Sequence, residues 1–351
     1  MPDTYIVQTG DSLWGISKKL GVSFQQIKSL NPSLKPRSPP YGISPGDVIV
    51  VPPAQRRGEI KRTCEKCNDC IVYQLAKPFL IAKAVDSTIV PTVSLKVRDD
   101  VLHGGIMPLG QDITHSSSRA LLDGYPATSN DEATLRDAML RLLDVFAFYD
   151  RDEMAKRLFD KFLEKNGQVT IFTDDGLDMA VQASSNFIAF SDRTLAAPGT
   201  NGTDPTKPRI HQRLKDAGWD INNVKTIEGL GVPAFNEGTK TPAPLFNSGD
   251  WANGLAVMIN GVQYVYVYVE KYSYDSCKGK YEIGLKFVLY DVFGLDDDDL
   301  REYGVARGVD SIFLAPRGIT AWWQLQHQFG YAPVLTRAVV HKTYTVSTVG
   351  Q

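Results

Sequence analysis

The strongest constraint on the fold lies between Tyr5 and Pro52, where two β-prone stretches enclose two short helical patterns. About fifty residues can bury only one small core, so the four elements must share it. "YIVQTGD" alternates apolar and polar residues as a short strand does. In "DSLWGISKKLG", Leu13, Ile16 and Leu20 share one helical face, Asp11 or Ser12 supplies the N-cap, and Gly21 the stop. "SFQQIKSLNP" repeats the device, with Ser23 as cap, Phe24, Ile27 and Leu30 facing inward, and Asn31-Pro32 ending the helix. "YGISPGDVIVVP" turns at Pro45-Gly46 into a strand of Val48, Ile49, Val50 and Val51. The expected order is strand, helix, helix, strand.

With "YIVQTGDSLWGISKKLGV", "LNP" and "ISPGDVIVVP" in this order, the stretch resembles the LysM domain. The resemblance implies a βααβ module that binds N-acetylglucosamine-containing glycans, peptidoglycan or chitin, in a shallow groove between the first-strand/helix loop and the second-helix/strand loop. Carried onto this chain, Gly10, Asp11, Ser12 and Leu13 line one wall and Asn31, Pro32 and Ile43 the other. The insert "SLKPRSPPYG" lengthens one wall. The side chains of Leu13, Ile16, Ile27 and Leu30 read as core. LysM-like units also occur in contractile-tail assemblies, so docking onto another protein is the alternative use.

At 351 residues the chain has room for two or three domains, here 1–53, 54–124 and 125–351. A formal net charge of −2 gives no drive towards nucleic acid or anionic membrane, although nine Lys and Arg against four acids make the chain basic up to Arg62. No apolar run approaches the length of a transmembrane segment, and "MPDTYIVQTG" lacks the regions of a signal peptide. The expectation is a protein made in the cytoplasm and, if it works outside, exported by a machine that needs no cleaved signal. Four cysteines are too few for a disulfide scaffold. Cys64, Cys67 and Cys70 lie together in "TCEKCNDC", far from Cys277. A CxxCxxC loop closed by Cys277 would make a four-thiolate metal site, and the alternatives are reduced linker thiols or one local disulfide. No metal is assigned, because the paired CxxC spacing of zinc ribbons is absent.

The remainder reads as α+β. Residues 54–124 read as a linker and an irregular Cys-containing segment, with β-prone stretches at "IVYQLAKPFLIAKAV" and "TIVPTVSLKVRDDVL". Helical spacing follows in "SNDEATLRDAMLRLLDVFAFY", capped at Ser129 to Asp131, and in "DRDEMAKRLFDKFLEKNG", stopped at Gly167. The tail turns to strands. Asn260-Gly261 signals a hairpin, and beyond it Val265, Val267 and Val269 take one face while Tyr264, Tyr266 and Tyr268 take the other. "YEIGLKFVLYDVF" and "APVLTRAVVHKTYTV" read as further strands and "ITAWWQLQHQFG" as a helix, giving N-terminal helices and a C-terminal antiparallel sheet.

"LRLLDVFAFYDRDEMAKRLFDKFLEKNG", "YDVFGLDDDDL" and "WWQLQHQFGYAPVLTRAVV" together resemble an uncharacterised bacterial family, a domain of unknown function associated with type VI secretion. The resemblance carries no catalytic residues, so chemistry is sought in Asp291, Arg301 and His327. Asp291 ends an apolar strand; as base or metal holder it would work with Arg301 on an anionic oxygen and His327 as proton carrier. Asp291, Phe293 and Arg301 are also faintly similar to the motif of colicin M-type toxins, which hydrolyse the lipid-linked peptidoglycan precursor, but Gly294 and Leu300 stand where that motif has an Asp and a His. His327 has a plain structural reading as a hydrogen-bonded partner. Asp296 to Asp299 read as the cap of a short helix, with a raised carboxyl pKa from like charge as the alternative. No Gly-rich phosphate loop, Rossmann fingerprint, HExxH or GxSxG occurs, and no cofactor is assigned.

These readings lead to a peptidoglycan-binding antibacterial effector, delivered by a contractile secretion system into the periplasm of a target bacterium, with a C-terminal domain acting as a cell-envelope hydrolase on peptidoglycan or its precursor. A secretion spike protein and an immunity protein are its expected protein partners. The second reading is a non-enzymatic adaptor whose LysM module docks onto a spike or phage-like tail.

Overall fold

The computed structural model describes residues 3–7, 11–20, 22, 24–32, 43–51, 70–86, 93–96, 106–109, 122, 125, 129–147, 153–195, 209–235, 249–250, 253–304 and 315–348. The chain divides into two units, Met1–Asn68 and Asp69–Gln351.

In the first unit, strand β1 (Asp3–Ile6), helices α1 (Leu13–Leu20) and α2 (Phe24–Leu30) and strand β2 (Val48–Val51) follow the expected order. The strands pair antiparallel from Asp3 opposite Val51 to Ile6 opposite Val48. Val7, Leu13, Ile16, Ile27, Ile49 and Val51 form the core. Leu30 departs from expectation: it is exposed, and the inward position one turn after Ile27 belongs to Asn31.

The second unit is built on a seven-stranded sheet: β3 (Val72–Gln74), β4 (Phe79–Val85), β7 (Thr170–Phe172), β8 (Ile227–Glu228), β9 (Tyr264–Asp275), β10 (Lys280–Phe293) and β11 (Val334–Ser347). The order is β7-β11-β10-β9-β4-β8, with β3 running along β9 beyond the end of β4. The antiparallel sheet expected of the tail is β9–β10–β11; β7 pairs in parallel with β11 at one edge of the full sheet and β8 in parallel with β4 at the other. It is not confined to the C-terminal part. The stretch 54–124, expected to be an irregular segment with two β-prone stretches, supplies β3 and β4 from the first of these, because their apolar residues have a Val-rich neighbour in β9 to pair with. It also supplies a separate antiparallel pair, β5 (Val93–Lys96) with β6 (Ile106–Leu109).

The valine and tyrosine faces of β9 separate as the alternation predicts. Val265, Val267 and Val269 enter the main core, and Tyr264 and Tyr268 join Val288, Tyr290, Val292 and Leu335 on the other side of the sheet. A bulge opposite Gly284/Leu285 then inserts one residue into β9. It inverts the parity, so Tyr272 and Tyr274 point into the main core.

That core is covered by α3 (Glu132–Leu140), α5 (Met154–Leu163), α6 (Asp175–Ala183), α7 (Ser185–Leu195), α8 (Ile210–Asp216) and α11 (Ala315–Gln328), with a one-turn α4 (Leu143–Phe146) after α3. Phe293 stacks on Trp322 at 4.2 Å and tilts against Phe159 at 5.1 Å, binding β10, α11 and α5 together. At Gly318 an added Cβ would stand 2.5 Å from Leu142, so glycine is required where α11 crosses the residues after α3.

The hairpin signal at Asn260-Gly261 proves misplaced. Leu255–Met258 is a single helical turn, α9, whose buried Leu255, Ala256 and Met258 fill the core. A continuous apolar run such as "LAVMI" does not distinguish a strand from a buried helix. The hairpin turn is at Ser276 to Gly279, where the Asp275 carboxylate accepts the amides of Cys277 and Lys278 and Gly279 takes a left-handed φ of 56°.

Candidate functional site

In the first unit the expected groove walls follow from the ends of α1 and α2. Ser12 caps α1, its Oγ accepting the Gly15 amide at 3.0 Å, which fixes the turn that carries Asp11. Asp11 Oδ2 accepts the Tyr5 hydroxyl at 2.8 Å, and Lys19 Nζ donates to the same Tyr5 oxygen at 2.9 Å. The Lys19 pKa is raised, chiefly by this hydrogen bond and then by the Tyr5 oxygen's charge, with Asp11 adding to it. Nothing in the sequence spacing signals this Asp11–Tyr5–Lys19 relay, since it joins a strand, a cap and a helix end.

On the other wall Asn31 does something else. Its Nδ2 donates to the carbonyls of Ile27 at 2.7 Å and Val50 at 2.6 Å, and its Oδ1 accepts the Val50 amide at 2.8 Å. The side chain thus acts as a short extra strand beside β2, and both its donor hydrogens are committed. Asn31 shapes the wall rather than offering its amide to a ligand. Leu13 is likewise buried, so only its backbone borders the groove. Pro32 is exposed and Ile43 half-buried, while Gly10 lies outside the described residues. The chemistry available is that of recognition: a carboxylate held in place at Asp11, a capping hydroxyl, and the exposed ring of Pro32.

In the second unit each member of the expected catalytic set has its own partners. Asp291 lies on the face of β10 that carries Leu289 and Phe293 into the helical core, and its Oδ1 accepts the Val292 amide at 2.9 Å. His327 Nε2 faces the Leu295 carbonyl at 2.7 Å, which requires that nitrogen to carry the proton, and the ring stacks on Trp323 at 4.7 Å. Gln326 holds both the amide and the carbonyl of Leu295 at 3.0 Å. His327 therefore reads as a fastening of the loop after β10. Arg301 sits on α10 (Asp297–Tyr303) in an exposed ion pair with Asp298.

The aspartate run forms the cap. Asp296 accepts the amides of Asp298 and Asp299, and the Asp299 carboxylate returns to the Asp296 amide at 3.1 Å, a reciprocal capping box. Asp299 has its pKa raised from 3.8 to about 6, first by burial and then by the charges of Asp296, Glu302 and Asp298. Because the folded state holds this proton more tightly than the unfolded one, the Asp299 contribution to stability is fully present at the acidic end and is lost as pH rises from about 4 to about 6. Asp299→Asn keeps an acceptor for the Asp296 amide and removes the charge. It is expected to flatten this slope and to stabilise the protein at pH 7 by up to about 2–3 kcal/mol, as read by urea unfolding at pH 4, 5, 6 and 7.

The fourth cysteine does find the loop, but through a covalent bond: Cys70 and Cys277 form a disulfide across 207 residues of sequence. Cys64 and Cys67 lie outside the described residues. Among the described residues no group of His, Cys, Asp and Glu could hold a metal ion, and no helix is long and apolar enough to cross a membrane.

Comparison with known proteins agrees with the geometry of the first unit. The family described as LysM domain matches residues 5–52. No curated protein and no solved structure matches the chain. The resemblances of the C-terminal region to the type VI-associated family and to colicin M-type toxins find no support in these comparisons. The strand–helix–helix–strand unit, with its capped first helix and Asn31 clasp, is a LysM domain, and a LysM domain points to binding of peptidoglycan or a related glycan.

Proposed function

We propose that the chain is a peptidoglycan-binding protein that works in an oxidising compartment outside the cytoplasm, its LysM domain holding the larger α+β unit at the cell envelope. The LysM match over residues 5–52 carries the reading. The Cys70–Cys277 disulfide supports the compartment, since such bonds persist where thiols are not kept reduced. In the fuller form of the proposal a contractile type VI system carries the protein into the periplasm of a target bacterium, where the larger unit acts as an antibacterial effector on peptidoglycan or its precursor.

Two experiments test the two levels. The full chain is expected to sediment with purified peptidoglycan, and Asp11→Ala to weaken this about tenfold while lowering stability by only about 1 kcal/mol, the scale of one hydrogen bond. Full retention with peptidoglycan after the change would remove Asp11 from the site, and no sedimentation of the parent protein would favour docking onto a protein instead. For the effector reading, the chain directed to the periplasm is expected to arrest growth and the same chain in the cytoplasm to leave it unaffected. Normal growth in both cases would move the assignment to the adaptor.

A further inference from the structure

The bond between Cys70 and Cys277 closes the point at which the chain enters the larger unit. It joins the residue just before β3 to the β9–β10 turn, with a Cα separation of 5.4 Å. Around it, the Ile71 amide donates to Ser276 Oγ at 2.8 Å and the Ser276 amide to the Ile71 carbonyl at 3.0 Å. β3 then pairs with β9 over only three residues, Val72 to Gln74. In β3 the apolar burial comes from Tyr73, which packs against the main core, while Ile71 and Val72 are 51% and 56% exposed. The next fastening is Asn222, which donates to the Gln74 carbonyl and accepts the Ala76 amide, both at 3.0 Å. Tyr73 stacks on Tyr274 at 6.1 Å, and Tyr274 stacks on Trp219 at 5.7 Å. Both cysteines are exposed, so the bond can be reached from solvent.

We propose that Cys70–Cys277 is a redox latch on this entrance. Oxidised, it holds Cys70 to Tyr73 against the hairpin. Reduced, this segment leaves β9, turning about the clamp at Asn222, and Tyr73 uncovers the Tyr274–Trp219 stack. Closing requires a disulfide oxidant of the thiol–disulfide oxidoreductase class, or oxidised glutathione. One cysteine thiolate attacks the oxidant's S–S bond to give a mixed disulfide. The second thiolate displaces the oxidant from it, so one S–S bond forms in the protein, and two electrons and two protons pass to the oxidant, which leaves as thiols. Opening is the reverse, with a dithiol as reductant. A short strand with exposed side chains has low local stability once its covalent tie is gone, whereas the long pairs β9–β10 and β10–β11 do not depend on it. The proposal rests on this pairing and not on glycan binding.

The test is hydrogen exchange on the full-length protein, equilibrated in glutathione buffers of stepped ratio, with alkylation and peptide mass spectrometry to assign each thiol. Reduction of Cys70–Cys277 is expected to speed exchange in peptides covering 70–74 and 275–279 at least tenfold more than in β10 and β11, whose exchange follows only the global stability, and to reverse on reoxidation. Cys277→Ser should reproduce the open state under oxidising conditions; if that variant does not fold, reduction of the native protein gives the same reading independently. Unchanged exchange on reduction would make the bond a passive decoration, and acceleration at 70–74 no greater than that in β10 and β11 would make it only a staple of the whole unit. Recovery of both cysteines as free thiols from oxidised protein would also overturn the latch.

Discussion

Asn31→Ala is expected to strip away much of the LysM domain's stability, and to weaken glycan binding only to the extent that the domain opens. The change removes three hydrogen bonds at once and leaves the Ile27 carbonyl and both backbone groups of Val50 without the partner that the Asn31 side chain supplies. Stranding groups of this kind costs ~1–3 kcal/mol each where water is excluded, less where it is admitted, so ~2–3 kcal/mol in total is a restrained figure for a site part-open to solvent. A domain of this size has only ~3–7 kcal/mol of stability to lose. Hydrogen exchange of α1 and α2 in the full chain should accelerate ~30- to 150-fold, which is that energy at one decade per ~1.4 kcal/mol. Asp11→Ala, by contrast, should leave this protection nearly intact while weakening the pull-down. If Asn31→Ala abolished binding with protection unchanged, Asn31 would be a direct glycan contact after all.

Replacing Cys277 with Ser is expected to lower the stability of the larger unit by ~3–5 kcal/mol, most of it through the unfolded chain. A cross-link spanning 207 residues removes loop entropy from the denatured ensemble worth ~5 kcal/mol in the chain-entropy treatment. For a unit of this size that corresponds to a fall in melting temperature of roughly 5–8 °C. Calorimetry of the parent protein with and without a reductant, beside the variant in an oxidising buffer, checks it. The reduced parent and the variant should melt together, well below the oxidised parent. Coincident melting of oxidised and reduced parent would mean that the two cysteines are not joined in solution.

Much of the LysM domain was legible because its elements are short and their signals local. Ser12 as cap, Leu13, Ile16 and Ile27 as core, and the Pro45-Gly46 turn into β2 are all decided within a few residues of each position. Asn31 was read as a glycan contact for an equally local reason, since it sits at the right loop. Its bond to Val50 spans nineteen residues and only exists once β2 lies beside α2. The larger unit divides in the same way. The alternation of valine and tyrosine in β9 and the long helix ending near His327 were readable, as was the aspartate cap of α10. The helices α6 to α8 are not legible in the same way, nor are the parallel partners β7 and β8, whose two or three residues carry no pattern long enough to show.

By itself the sequence determined the order of the elements in the LysM domain, the faces that alternate or recur at helical spacing, and the LysM identity of residues 5–52, because each depends on side chains close together in the chain. Only the tertiary structure decided which long-range partners complete them. It set Asp291 into the helical face of β10, turned His327 to the Leu295 carbonyl, drew β3 and β4 into the sheet, and brought Cys70 to Cys277. Within the sheet those pairings come from strand register and from the one-residue bulge in β9, which reverses the facing of the β9 residues after it. They are therefore properties of the assembled sheet and not of any stretch within it.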